Sequence, residues 1–239
     1  MLLKMIFREC RRAVYYCSGQ RWVYARPKGP VARLGNAYGG WTTATTGLNA
    51  QSVVYGIGVG TDLSWDLAMI DRFGCTVHAF DPTPRSLAWV QQQTLPASLQ
   101  FHPLGVAEYD GNLELFLPPR DDYVSFTRVD TTGQQTKVSC PVRKLSTLMQ
   151  DLGHTRIDVI KLDIEGAEYA VVDDLIGSEL RPTQLLIEFH HFFDSISVEQ
   201  TRNALARLRD AGYRIFHSSF HGLDVSLIHE SAPADAGTV

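Results

Sequence analysis

VVYGIGVGTDLSWDLAMI, residues Val53 to Ile70, is an apolar run that leads into closely spaced glycines and then a helix-like pattern. A second apolar run, Thr76 to Phe80, ends in an acid, Asp81. Asp81 lies about twenty residues past the glycines, where a Rossmann-type site places its ribose-binding carboxylate. Gly58 and Gly60 sit where the first strand turns into a helix. Lacking side chains, they let backbone approach a ligand closely and adopt positive φ. The helix start that follows offers unpaired N–H groups. Taken alone, such glycines serve equally well in a tight turn without a ligand. Asp81 at the next strand end favours a nucleoside-containing cofactor.

Outward from this unit, strand-like and helix-like runs alternate. Leu63, Leu67, Ala68 and Ile70 follow the helical period, with Asp62 as a candidate cap and Gly74 as the stop. Pro82 to Gln93 reads as a second helix and Leu99 to Val106 as a third strand. Asp110-Gly111 marks a turn before a strand at Leu113 to Leu117. The polar stretch from Pro118 to Lys137 reads as an excursion over the sheet edge. Helices are then expected at Ser146 to Leu152, Ala167 to Ile176 and Val198 to Ala211. Strands are expected at Asp158 to Leu162 and Gln184 to Phe189, with Arg214 to Ser218 and Val225 to His229 as a closing pair. This order predicts an α/β fold with a mainly parallel sheet covered on both faces. Residues 1–49 form a leader with a short amphipathic helix, a cap for substrate or partner. The main domain covers 50–230, and 231–239 is a frayed tail.

Composition narrows the partners. The 239 residues are 44% hydrophobic and 20% charged, with a net charge of −4, which disfavours a broad basic face for nucleic acid. Cys10, Cys17, Cys75 and Cys140 form no C-x-x-C pair, so reduced thiols in a cytoplasmic protein are expected. No run approaches the roughly 18 apolar residues of a membrane span.

The glycine loop departs from the dinucleotide fingerprint, because no third glycine follows Gly60 at the required spacing. A carboxylate at Asp62 would repel a pyrophosphate over that helix start but would suit a positive amino group. S-Adenosylmethionine carries an adenosine, an ammonium and a sulfonium, and no phosphate. A second constellation, KLDIEGAEY at Lys161 to Tyr169, places Asp163 and Glu165 at a strand end, where α/β sheets bind ligands. Glu168 reads as a first-turn helix acid. A third, LLIEFHHFF at Leu185 to Phe193, ends in Glu188, His190 and His191. His190 is a candidate base for a substrate hydroxyl or, alternatively, a packed strand-end residue. Asp163 with Glu188 or His190 is also a conceivable divalent-metal set, but no tight ligand spacing marks it, and no metal is expected.

GVGTDLSWDLAMIDRFGCTVHAFDPTP, FHPLGVAEYDG, IKLDIEGAEYAVVDDL and LLIEFHH, in that order, resemble the FkbM-type S-adenosylmethionine-dependent methyltransferases. The resemblance runs from about Tyr38 to His229. It implies a Rossmann-like class I methyltransferase fold, with a seven-stranded sheet and an antiparallel last strand. By the same resemblance, Gly58 and Gly60 flank the methionine part of the cofactor and Asp81 binds the ribose. Gly105, Val106 and Ala107 border the adenine, and Asp163 faces the methyl end. Many class I enzymes carry an acid where this chain has Gly56, and Asp62 is a candidate to replace it. The family implies O-methylation of a sugar or another secondary-metabolite hydroxyl, with S-adenosylhomocysteine as product.

The expected activity is therefore methyl transfer to a small-molecule hydroxyl, with the base drawn from Asp163, Glu165 and His190. A nicotinamide-dependent oxidoreductase and a non-catalytic cofactor-binding module are the rival readings.

Overall fold

A computed structural model of the chain describes residue 22 and residues 29–116 and 137–232. The expected leader helix, Cys10, Cys17, the excursion at 118–136 and most of the tail lie outside the described residues. In chain order the strands are β1 (Val31–Leu34), β2 (Trp41–Ala44), β3 (Val53–Ile57), β4 (Thr76–Phe80), β5 (Leu99–His102), β6 (Gly105–Val106), β7 (Gly111–Phe116), β8 (Lys137–Arg143), β9 (Val159–Leu162), β10 (Gln184–Glu188), β11 (Tyr213–Ser218) and β12 (Asp224–His229). The helices are α1 (Ser64–Phe73), α2 (Pro84–Val90), α3 (Leu145–Leu152), α4 (Glu168–Gly177) and α5 (Val198–Asp210).

Seven strands form one sheet in the order β11-β12-β10-β9-β3-β4-β5. The neighbours from β10 to β5 are parallel, while β12 runs antiparallel to both β10 and β11. This is the Rossmann-like arrangement with the antiparallel last strand. The strand order reverses beside β3, which puts a ligand crevice outside the carboxyl ends of β3 and β9.

Alternation along the strands sorts the core into two layers. Tyr55, Ile57, Ile160 and Leu162 pack with Leu148 of α3, Val171 of α4 and Leu208 of α5. Val54, Val77, Val159 and Leu186 pack on the opposite face with Trp65 and Met69 of α1 and Trp41 of β2. Local signals set the helix ends. Thr83 accepts the Ser86 N–H and Pro84 opens α2, while Ser197 and Gln200 form a capping box at α5. Gly74 closes α1 in the left-handed conformation.

Two features depart from the sequence reading. The expected strand at Leu99 to Val106 divides, because Pro103 has no N–H with which to continue the ladder. Its second half, β6, joins β8 and β7 in a separate three-stranded sheet. Lys137 is not the end of a loop but the start of β8, which buries Cys140 and Val142. Within the expected leader, residues 31–44 are described. The β1–β2 hairpin docks on the sheet through paired bonds between Ala44 and the Gln184 amide (2.9 and 2.8 Å). The Ser226 hydroxyl also donates to the Thr42 carbonyl at 2.8 Å. Among the described residues, no helix is long and apolar enough to cross a membrane.

Candidate active site

A cavity of about 370 Å³ opens at the carboxyl ends of the central strands. Gly58, which follows β3, has φ +84°, and a Cβ there would lie 1.7 Å from the carbonyl oxygen of Asp163. Only glycine allows the two strand ends to approach this closely. Gly60 also lies at positive φ (+54°), with open space around it. Its N–H donates to Asp81 Oδ2 at 2.8 Å. Asp81 Oδ1 accepts the Thr83 N–H (2.9 Å) and hydroxyl (2.6 Å). Asp81 therefore organises the glycine loop and the start of α2 while bordering the cavity. Of a carboxylate's roughly four acceptor positions, about one stays open for a ligand hydroxyl.

Gly105 and Val106 border the cavity, but Ala107 does not. Ala107 is buried and donates its N–H to the Arg143 carbonyl. At Gly105 a Cβ would press on Pro82 and Val142, at 2.9 and 3.0 Å. Asp62 lines the cavity without being the residue that caps α1, a position held by Leu63. Its Oδ1 accepts the Ser64 N–H (2.7 Å) and its Oδ2 the Asn36 amide (2.5 Å). Burial works against its charge, but these bonds and the Lys161 ammonium outweigh it and hold the carboxyl below its usual range. Asp62 thus anchors the loop at Asn36 to Gly40, where Gly39 leaves no Cβ to strike its carboxylate. Tyr38, on that loop, reaches the cavity mouth.

Asp163, Glu165 and His190 do come together. His190 Nε2 lies 3.2 Å from Glu165 and 3.7 Å from Asp163, and its Nδ1 lies 3.2 Å from Glu168. Both acids border the cavity; His190, 2% exposed, sits behind them and does not. Burial disfavours a charged imidazole, but bonds to Glu165 and Glu168 overcome it and raise the His190 pKa well above the ordinary value. An imidazolium already holds its proton, so His190 is not a free base near neutral pH. The three residues offer ligand atoms within 4.8 Å of one another, a geometry able to hold a single metal ion.

Glu168 is more than a helix-start acid. It is fully buried, and its carboxylate accepts the N–H of Gly166 (2.8 Å) and of His190 (2.8 Å). The turn it braces holds Glu165 at φ +51°, which costs a non-glycine residue about 1–3 kcal/mol. Asp163 is pushed above its usual pKa, first by burial and then by the charges of Glu165 and Glu168, against the pull of Lys161 and His190. Glu188, at the end of β10, also lines the cavity, and burial together with Asp163 pushes its carboxyl up to about 8. His191 points elsewhere, to the Thr201 hydroxyl at 3.1 Å.

Sequence reasoning gave no role to Lys161, whose ammonium donates to the Gly58 carbonyl at 2.9 Å. Its position inside an otherwise apolar strand was the available signal, since a lysine is rarely buried without a task. Altogether Asp62, Asp66, Asp81, Asp163, Glu165, Glu188 and Asp224 border the cavity, against Arg33 and Lys161. Even with the Glu188 carboxyl pushed up to about 8, the acids outnumber the two cations, so this wall suits a cationic ligand and opposes a pyrophosphate.

The chain is similar to several known proteins. The human protein described as probable methyltransferase-like protein 24 is 27% identical over 181 residues, 71% of this chain and 43% of its own length. Its counterpart from Rattus norvegicus is 27% identical over 178 residues, 70% of this chain and 43% of its own length. The chain thus spans less than half the length of the curated relatives it matches. The crystal structure of methyltransferase FkbM from Methylobacillus flagellatus KT aligns with TM-score 0.46 and 18% identity, over 76% of this chain and 44% of that one. The model of the methyltransferase FkbM domain matches residues 52–215, and the chain belongs to that family.

Proposed function

We propose that the chain is an S-adenosylmethionine-dependent O-methyltransferase acting on a hydroxyl of a small molecule, such as a sugar or another secondary metabolite. The observation that carries this reading is the acid-rich cavity built between the Gly58–Gly60 loop, Asp81 and Asp163. When bound, S-adenosylmethionine supplies an electrophilic methyl group. The residues present fit it: Asp81 keeps an acceptor position for a ribose hydroxyl, and the acidic wall compensates positive charge.

The chain's own groups would then position the acceptor and move its proton. Holding two reactants in line accounts for much of the rate gain in such reactions. Asp163 and Glu165 offer carboxylates to receive the hydroxyl proton. The His190 imidazolium behind them reduces their mutual repulsion. Glu188, with its carboxyl pushed up to about 8, enters neutral near pH 7 and can donate a hydrogen bond to the acceptor. The Asn36–Gly40 loop contributes to acceptor choice, because loops on a rigid scaffold commonly carry specificity.

Calorimetry with S-adenosylhomocysteine and with NAD tests the cofactor, and methyl transfer over a panel of hydroxylated metabolites tests the reaction. Binding of S-adenosylhomocysteine and transfer to one panel class are expected. Tight NAD binding without S-adenosylhomocysteine binding would end the proposal. Cofactor binding with no transfer to any hydroxyl would favour a non-catalytic binding module.

A further inference from the structure

Asp66, in the first turn of α1, is 1% exposed, yet it borders the cavity. Its Oδ1 has no hydrogen-bond partner, a property shared among the buried side-chain N and O atoms of the described residues only with the Ser86 hydroxyl. No ion pair reaches it among those residues. Beneath it lies Gly56 of β3, where a Cβ would come within 2.0 Å of that oxygen. The glycine therefore makes room for a carboxylate delivered from the helix onto the strand. Lys161 pairs with Gly56 across the β3–β9 ladder, but its ammonium donates to the Gly58 carbonyl. Asp62, the sequence-based candidate for a carboxylate serving the ammonium, already accepts from Ser64 and Asn36, whereas Asp66 Oδ1 accepts from no described residue.

An unpaired buried carboxylate oxygen is costly and calls for a donor. The acid-rich lining of the cavity favours a cationic donor over a neutral one. We propose that Asp66 is a cofactor-binding residue that accepts the ammonium of the cofactor's amino-acid portion. This inference rests on the S-adenosylmethionine reading above. Titration supports it. Burial, aided by Asp62 and opposed by Lys161 and the residue's own backbone N–H, pushes the Asp66 carboxyl up to about 6, within reach of a neighbouring cation's pull toward the charged form.

The test uses the full chain and two probes, S-adenosylhomocysteine and its deaminated analogue, titrated calorimetrically at pH 7.5. Asp66→Asn should weaken S-adenosylhomocysteine about tenfold or more, as a lost charge-assisted bond does, and change the analogue by less than about twofold. Equal weakening of both probes, or no weakening of either, overturns the inference. Should the variant not fold, the wild type gives the same answer from pH 5 to 7.5. With the carboxyl titrating near 6, S-adenosylhomocysteine affinity should fall about tenfold at pH 5, and the analogue's should not. Parallel pH profiles overturn the inference, because the other ionisable groups of the lining, Asp62, Asp81, Lys161, Asp163, Glu165 and Glu188, are present with both probes alike. Failure of the wild type to bind either probe overturns the cofactor reading itself and this inference with it. Normal binding with an indifferent Asp66 overturns only the inference.

Discussion

Replacing Glu168 by glutamine keeps its shape, removes its charge and tests the clamp behind the acidic wall. The carboxylate accepts three bonds, from Gly166 N, His190 N and His190 Nδ1. A carboxamide has one acceptor oxygen and one donor nitrogen, so one side must set donor against donor. A buried donor left unsatisfied costs about 1–3 kcal/mol. Breaking a buried charge pair costs about 3–5 kcal/mol, and the two losses overlap. Glu168→Gln should therefore lose about 3–5 kcal/mol, moving a urea midpoint down by about 1–2.5 M at a slope near 2–3 kcal/mol per M. The loss depends on pH. The raised His190 pKa contributes stability that is fully present below the unfolded value near 6.5 and is lost as pH rises through the folded value. The variant's deficit should accordingly be largest below pH 6.5 and narrow in alkali. NMR of the His190 ring should show it titrating at lower pH in the variant. A loss under about 1 kcal/mol, or an unchanged His190 titration, would refute the clamp.

Gly58→Ala sets a Cβ against the Asp163 carbonyl at positive φ and should cost about 2–4 kcal/mol in thermal unfolding. A smaller cost would mean that the two strand ends can separate freely. Asp81→Ala should reduce S-adenosylhomocysteine affinity at least about tenfold, through the lost ribose acceptor and the released Gly60 loop; unchanged affinity would remove Asp81 from the site. Glu188 rises from 4.5 to about 8 on folding, so it costs stability increasingly as pH climbs through that window. Glu188→Gln should flatten the decline, as read by urea unfolding at pH 5 and 8.5, and an unflattened decline would place its origin elsewhere.

Much of the fold was legible because its signals are local. The run at Val53 to Phe80, with its glycines and Asp81, fixes a strand, a turn, a helix and a second strand through periodicity and backbone freedom alone. Pro103 was as visible as those glycines, but its effect was not. It interrupts a ladder and sends β6 to β8, a partner more than thirty residues away. Strand β8 itself was hidden because its alternation begins directly after a polar stretch.

For the site, the sequence by itself determined the strand ends that border the cavity: glycines at one strand end, and acids at the next and at the KLDIEG turn. Those positions follow from chain order, since parallel strands bring their carboxyl ends to one edge. Tertiary structure decided which ionisable groups face the cavity and which face each other. His190 lies behind Asp163 and Glu165 with its proton held by Glu168, and Asp66 crosses from a helix onto Gly56. Such roles depend on burial and on distances between residues far apart in sequence. Periodicity can place a carboxyl on a face, but only packing determines whether it meets solvent, a cation or nothing at all.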